Sequence, residues 1–179
     1  EFGIWNRPLN GIYSSVYNIE YVMRQLQHKN TRFVGAHEVS NKIVPKENLN
    51  ALVIAAFEEG KPLNTDSLRT GIVKTLEGKA FELFHQVTNN VDWAYPVEIF
   101  EGFEVPGLDG QVHEAGFAQA YRGVNGYDYL VVTNRSESSG NFQITLDGTS
   151  LKKELVTHFI SAPDISFKDA EIQSETRVN

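Results

Sequence analysis

Cysteine is absent from this chain, and with it go disulfide staples, thiolate metal sites and any cysteine nucleophile. The absence leaves the redox compartment open, so cytoplasmic and secreted origins stay equally compatible. Basic clusters are nearly absent too: none is longer than Lys152-Lys153, and the net charge is −7. Phosphate binding is driven by clustered Lys and Arg, so no nucleic-acid partner is expected. Long apolar runs are also missing. The stretch from Ala51 to Phe57 is far too short to cross a bilayer, which removes a membrane-spanning reading. No glycine loop suited to cradling phosphate and no serine nucleophile elbow is found; Gly107-Leu108-Asp109-Gly110 and Gly123-Val124-Asn125-Gly126 are turn chemistry.

What is present suits one ordinary domain, or a small domain with added helices, able to bury a core without staples. Val16, Ile19, Val22, Met23 and Leu26 recur at helical spacing, which predicts an amphipathic helix over 15–29 with Ser14 or Ser15 as N-cap and Glu20, Arg24, Gln25 and Gln27 on its polar face. A short strand is expected over 31–37. Residues 48–59 suit a helix, although Leu52-Val53-Ile54 reads equally as a buried strand. Leu68, Ile72, Leu76, Ala80, Leu83, Phe84 and Val87 keep a helical period over 67–87, weakened at Gly71 and Gly78, so one helix or two shorter ones fit equally.

Beyond Asn90 the apolar period changes from 3.6 to 2. Strands are expected over 91–100, 112–121, 127–133, 141–147, 151–160 and 170–178, separated by turn signals such as Asn125-Gly126 and Asp147-Gly148. Tyr129-Leu130-Val131-Val132 is apolar without alternation, as suits a central strand. The expected fold is α+β: a helical/βα segment over 1–90, followed by an antiparallel β-sandwich over 91–179.

Three segments together resemble the C-terminal end of retaining (β/α)8 glycoside hydrolases of the group that includes α-L-arabinofuranosidases. Glu1-Phe2-Gly3-Ile4-Trp5-Asn6 resembles the end of barrel strand seven. The helix over 15–30 with Phe33-Val34-Gly35-Ala36-His37 is similar to the following helix and strand eight. Tyr129 to Ser136 with Phe142 to Gly148 resembles a strand pair of the appended β-sandwich, and Thr75 to Phe84 is similar to an intervening helix. The resemblance implies that Glu1 is the nucleophile, and that Trp5, His37 and Glu38 lie at the sugar-facing rim, with the 1–90 segment a barrel remnant. Retaining hydrolysis needs two carboxylates about 5–5.5 Å apart. The family's acid/base lies on an earlier strand that this sequence does not contain, so no turnover is expected from the chain alone. Both ends, Glu1-Phe2-Gly3 and Arg177-Val178-Asn179, are expected to be cuts in a longer protein; Glu1-Phe2 reads equally as native sequence or as a cloning scar.

Other chemistry is weaker. The five histidines, His28, His37, His85, His113 and His158, show no i,i+4 pair, and His37-Glu38 and His113-Glu114 are adjacent residues that a strand points to opposite faces. Neither a metal nor another cofactor is expected. Asp92, Glu98, Glu101 and Glu104 interleave with Trp93, Tyr95, Phe100 and Phe103. That pattern fits a sugar platform or an oxygen-ligand Ca²⁺ site, but core aromatics with a solvated opposite face are the favoured reading. Two alternatives to the hydrolase-fragment function follow: a stand-alone carbohydrate-binding or protein-interaction module, discriminated by exposure of Trp93 and Tyr95, and an orphan structural domain that forms a homodimer through apolar surface a missing barrel would cover. An upstream reading frame encoding further βα units, with a glutamate on the fourth strand, is the expected finding for the fragment reading.

Overall fold

A computed structural model describes residues 12–31, 34, 40–42, 53–57, 68–107, 109–136, 138, 140–141, 143–151, 154–164 and 170–178. Over these residues the chain is α+β, with two helices and mostly antiparallel strands in small sheets; no closed barrel forms among them.

Helix α1 spans Ile12–Leu26 and turns its apolar stripe, Ile19, Val22 and Met23, into the core. It begins earlier than the spacing predicts, so Ser14 and Ser15 are not caps. They lie inside the helix and are fully buried. Of the strand expected over 31–37, only Thr31 and Val34 are described, and neither is in a strand; Val34 packs on the core.

Strands β1 (Ser40–Lys42), β2 (Val53–Phe57) and β3 (Leu68–Lys74) form a mixed sheet in that order, β1 parallel and β2 antiparallel to their next neighbours. Two expectations change here. The strand alternative holds for β2, and the helix expected over 67–87 is a strand up to Lys74. Thr70, Ile72 and Val73 are β-branched and Gly71 is a poor helix former, so the first half of that apolar period is better satisfied by pairing. Helix α2 (Leu76–Thr88) starts only at Thr75, whose hydroxyl accepts the Gly78 N–H at 3.0 Å, with Glu77 in the first turn.

Beyond α2 the strands are β4 (Val91–Tyr95), β5 (Glu104–Pro106), β6 (Val112–Glu114), β7 (Gly116–Gly123), β8 (Asp128–Asn134), β9 (Thr145–Leu146), β10 (Thr149–Ser150), β11 (Glu154–Phe159) and β12 (Gln173–Val178). All their pairings are antiparallel: β4-β7-β8, β5-β6, β9-β10 and β11-β12. The strand expected over 112–121 splits at the buried Ala115, and that over 141–147 shortens to β9. Asp147 (φ 50°) and Gly148 (φ 75°) both take left-handed backbone, making the two-residue β9-β10 turn that Asp-Gly favours. At Asn125-Gly126 only Gly126 (φ 81°) does so, and the Gly126 N–H donates to the Gly123 carbonyl at 3.0 Å, a type of turn that adds a one-residue bulge.

The core lies where both helices cover one face of β4-β7-β8. Ile19, Val22 and Met23 of α1 meet Phe84 of α2 and Tyr121 of β7, with Phe117, Tyr129, Val131 and Val91 packed around them. Burial of Tyr121 pushes its phenol up to about 12. Met23 is wholly enclosed. Met23→Ala is expected to destabilise the fold by about 2–5 kcal/mol, the usual range for truncating a buried long side chain, measured by urea unfolding; an unchanged midpoint would show that this cluster does not hold the helices to the sheet.

Candidate functional site

Strands alternate their side chains between faces, so a residue's parity decides whether it enters this core. On β7 and β8 the odd positions face the helices: Phe117, Gln119 and Tyr121, opposite Thr133, Val131 and Tyr129. Val91 of β4 pairs with Gly123 and packs on the same core. In an unbroken ladder Trp93 and Tyr95, two and four residues on, would follow Val91 inward. They do not, because the β4-β7 register shifts between Val91 and Trp93. One extra residue is taken up there, Trp93 pairs with Arg122 and Tyr95 with Ala120, and both rings pass to the outer face.

Trp93 is accordingly 64% exposed and Tyr95 38% exposed, which corrects the core-aromatic reading. The register builds two cross-strand rows on the outer face: Trp93, Arg122, Asp128, and then Tyr95, Ala120, Leu130. The rings are about 7 Å apart along β4, from the strand rise, and the small Ala120 is the cross-strand neighbour of Tyr95. Arg122 is bridged to Asp128 through both guanidinium and carboxylate arms, its Nη2 donating to Oδ2 at 3.1 Å. That bridge holds Arg122 in its charged form, its pKa raised above the usual value. The guanidinium lies 5.8 Å from the centre of the Tyr95 ring. Gln119, buried on the other face, donates to the Tyr95 carbonyl and so secures the end of β4. The face therefore offers two apolar ring surfaces beside a fixed set of donors and acceptors.

Of the other aromatics in that stretch, Phe100 is exposed but follows β4 in irregular chain, and Phe103 is half-buried. Glu98, Glu101 and Glu104 do not gather with Asp92: among the described residues no three His, Asp or Glu side chains come together as a metal site. His113 pairs across its hairpin with Asp109 at 3.0 Å, rather than acting with Glu114. Asp109 is lowered by the Gln111 backbone N–H first and by His113 second. His158 contacts the Ser174 hydroxyl at 2.8 Å. Glu1, Trp5, His37 and Glu38 lie outside the described residues.

A second cluster is buried between the helices. Glu77 in the first turn of α2 accepts the Asn18 amide at 2.5 Å and faces the Ser14 hydroxyl at 3.5 Å. Burial pushes its carboxyl up to about 7, outweighing the two hydrogen bonds that lower it. Asn18 Oδ1 is buried without a hydrogen-bond partner. Glu20, expected on the solvated face, is also buried; it accepts from Arg24 at 2.9 Å and from the Thr133 hydroxyl at 3.2 Å. Arg135 Nε lies 3.0 Å from the same carboxylate, an ion-pair distance, but its N–H is not aimed for a hydrogen bond, so that attraction is coulombic. The sequence does hint at this network: Ser15, Ile19 and Val22 share one helical stripe, and Ser14 and Asn18, four residues apart, border it.

The Glu77 shift has a definite sign. The folded state holds this proton more tightly than the unfolded chain, so the associated stability is fully present below about 4.5 and is lost as pH rises through about 7, on the order of 3 kcal/mol for a shift of this size. Thermal melting of the parent is expected to fall over that window, and Glu77→Gln, neutral and of the same shape, should remove that part of the slope. Equal slopes in parent and variant would mean that Glu77 titrates normally.

Compared with protein-family models, curated proteins and solved structures, the chain matches none.

Proposed function

We propose that this chain is a carbohydrate-directed module, the C-terminal part of a glycoside hydrolase-like protein, and that it contacts a glycan through the outer face carrying Trp93, Tyr95 and Arg122. The observation that carries this reading is the β4 bulge, which turns two rings out of an available core and into solvent. An exposed tryptophan gains little in a face that only needs to be soluble; it has a use where a partially apolar ligand stacks on it. The apolar C–H face of a pyranose or furanose suits the rings, and its hydroxyls suit the Arg122–Asp128 pair, which presents donors and acceptors together. Since Asp128 already neutralises Arg122 and the whole chain is −7, a neutral glycan fits better than an acidic one. The helical cover on one face of an antiparallel sheet supports a module docked on further helices, and in this reading Glu1, Trp5, His37 and Glu38 are the barrel-derived residues.

Titration with neutral gluco-, xylo- and arabino-oligosaccharides, read by calorimetry, should give saturable binding. Trp93→Ala should weaken it about tenfold or more and Tyr95→Ala by less, a tenfold change being about 1.4 kcal/mol. Parent protein that binds no member of this set, or binding untouched by Trp93→Ala, would overturn the assignment. Aryl arabinoside and glucoside assays on this chain should stay flat. Turnover abolished by Glu1→Gln would instead make the chain a catalyst in its own right.

A further inference from the structure

The edge of the β4-β7-β8 sheet opposite the aromatic pair does not match its own sequence. β8, Asp128-Tyr129-Leu130-Val131-Val132-Thr133-Asn134, is apolar on both faces, as a strand flanked on both sides would be, yet among the described residues it ends the sheet. Apart from β7 and α1, no described element packs closely on it. The usual protections of an edge are missing as well: β8 has no lysine or proline, and its pairing with β7 runs through seven residues without a bulge.

We propose that the outer edge of β8 is a self-association site, where a second copy of this chain adds its own β8 antiparallel to make a six-stranded sheet. Backbone parity sets the register. The Gly123 N–H donates to the Tyr127 carbonyl at 2.8 Å, so by antiparallel alternation Tyr129, Val131 and Thr133 spend their backbone groups on β7. Asp128, Leu130, Val132 and Asn134 then direct theirs outward. A two-fold axis through Val131 places Leu130 opposite Val132 and Asp128 opposite Asn134, so every outward group meets another outward group along all seven residues. The arrangement is self-complementary, as a two-fold interface must be. Its only charge, Asp128, faces an asparagine and is already bridged to Arg122, so no like charges meet. These features select a second copy over an unrelated strand, for which nothing would set the register.

The two-fold axis stands perpendicular to the sheet, so both copies display Trp93 and Tyr95 on the same side. The two β4 strands are five strand spacings apart, about 24 Å. This consequence, a bivalent sugar-contacting face, rests on the proposed function; the strand pairing does not.

Sedimentation equilibrium of the whole chain should give twice the 20.1 kDa chain mass. Val132→Pro removes an outward N–H and leaves the β7 ladder intact, so it should yield a monomer, and Leu130→Lys should do the same by placing two charges in the seam. Circular dichroism and melting of the lysine variant distinguish dissociation from unfolding. Because the chain has no cysteine, Val131→Cys should give one intermolecular disulfide on mild oxidation, its two copies being opposed at a non-hydrogen-bonded position. A parent monomer at hundreds of micromolar, or a dimer that survives Leu130→Lys and Val132→Pro while each stays folded, would overturn the proposal. Failure of the sugar reading is seen separately, since Trp93→Ala leaves the mass unchanged.

Discussion

A sheet strand offers its residues only two directions, and a single added residue exchanges them. In β4 that exchange occurs between Val91, which packs against the helices, and Trp93, which does not. The outer face depends on it. With a regular ladder two large rings would extend the core and leave a bland polar surface; with the shift the core closes on the smaller Val91 and the rings stand beside Arg122, Ala120 and Leu130. The same sheet is then two-sided, one face packed under the helices and the other carrying exposed rings.

The stability side is more polar than its size would suggest. Its apolar centre is small, Ile19, Val22, Met23, Phe84 and Tyr121, and two buried carboxylates flank it. Glu20 is answered by Arg24, Arg135 and Thr133, so it ties α1 to β8 and the segment after it. Glu77 is answered only by neutral groups, and for that reason burial outweighs hydrogen bonding and holds its proton to near neutrality. The two buried acids thus differ in their partners, cations and a hydroxyl for Glu20 and only neutral groups for Glu77.

Much of the architecture was legible in the chain. The change of period near Asn90, the amphipathic stripe of α1, and the turns at Asn125-Gly126 and Asp147-Gly148 all led to the right kind of element, because each depends on neighbours within a few residues. Over 67–74 the spacing predicts helix where β3 forms, since Leu68 and Ile72 satisfy a four-residue period and a two-residue period alike. What broke the tie was pairing with β2, a contact between residues distant in sequence. Ser14 and Ser15 carry capping chemistry but lie buried inside α1, where the Ser14 hydroxyl faces Glu77 instead of a helix end.

From the sequence alone came the class of the fold, the exclusion of thiol chemistry, and the presence of an aromatic-acidic stretch at Trp93 and Tyr95. Only the tertiary structure decided that these rings face outward, that the apolar strand β8 lies at an edge of its sheet among the described residues, and that Glu20 and Glu77 are buried. Local propensity and periodicity are properties of neighbouring residues. The bulge, the edge and the buried acids arise from which distant segment each residue meets, and that is settled only when the helices close over one face of the sheet.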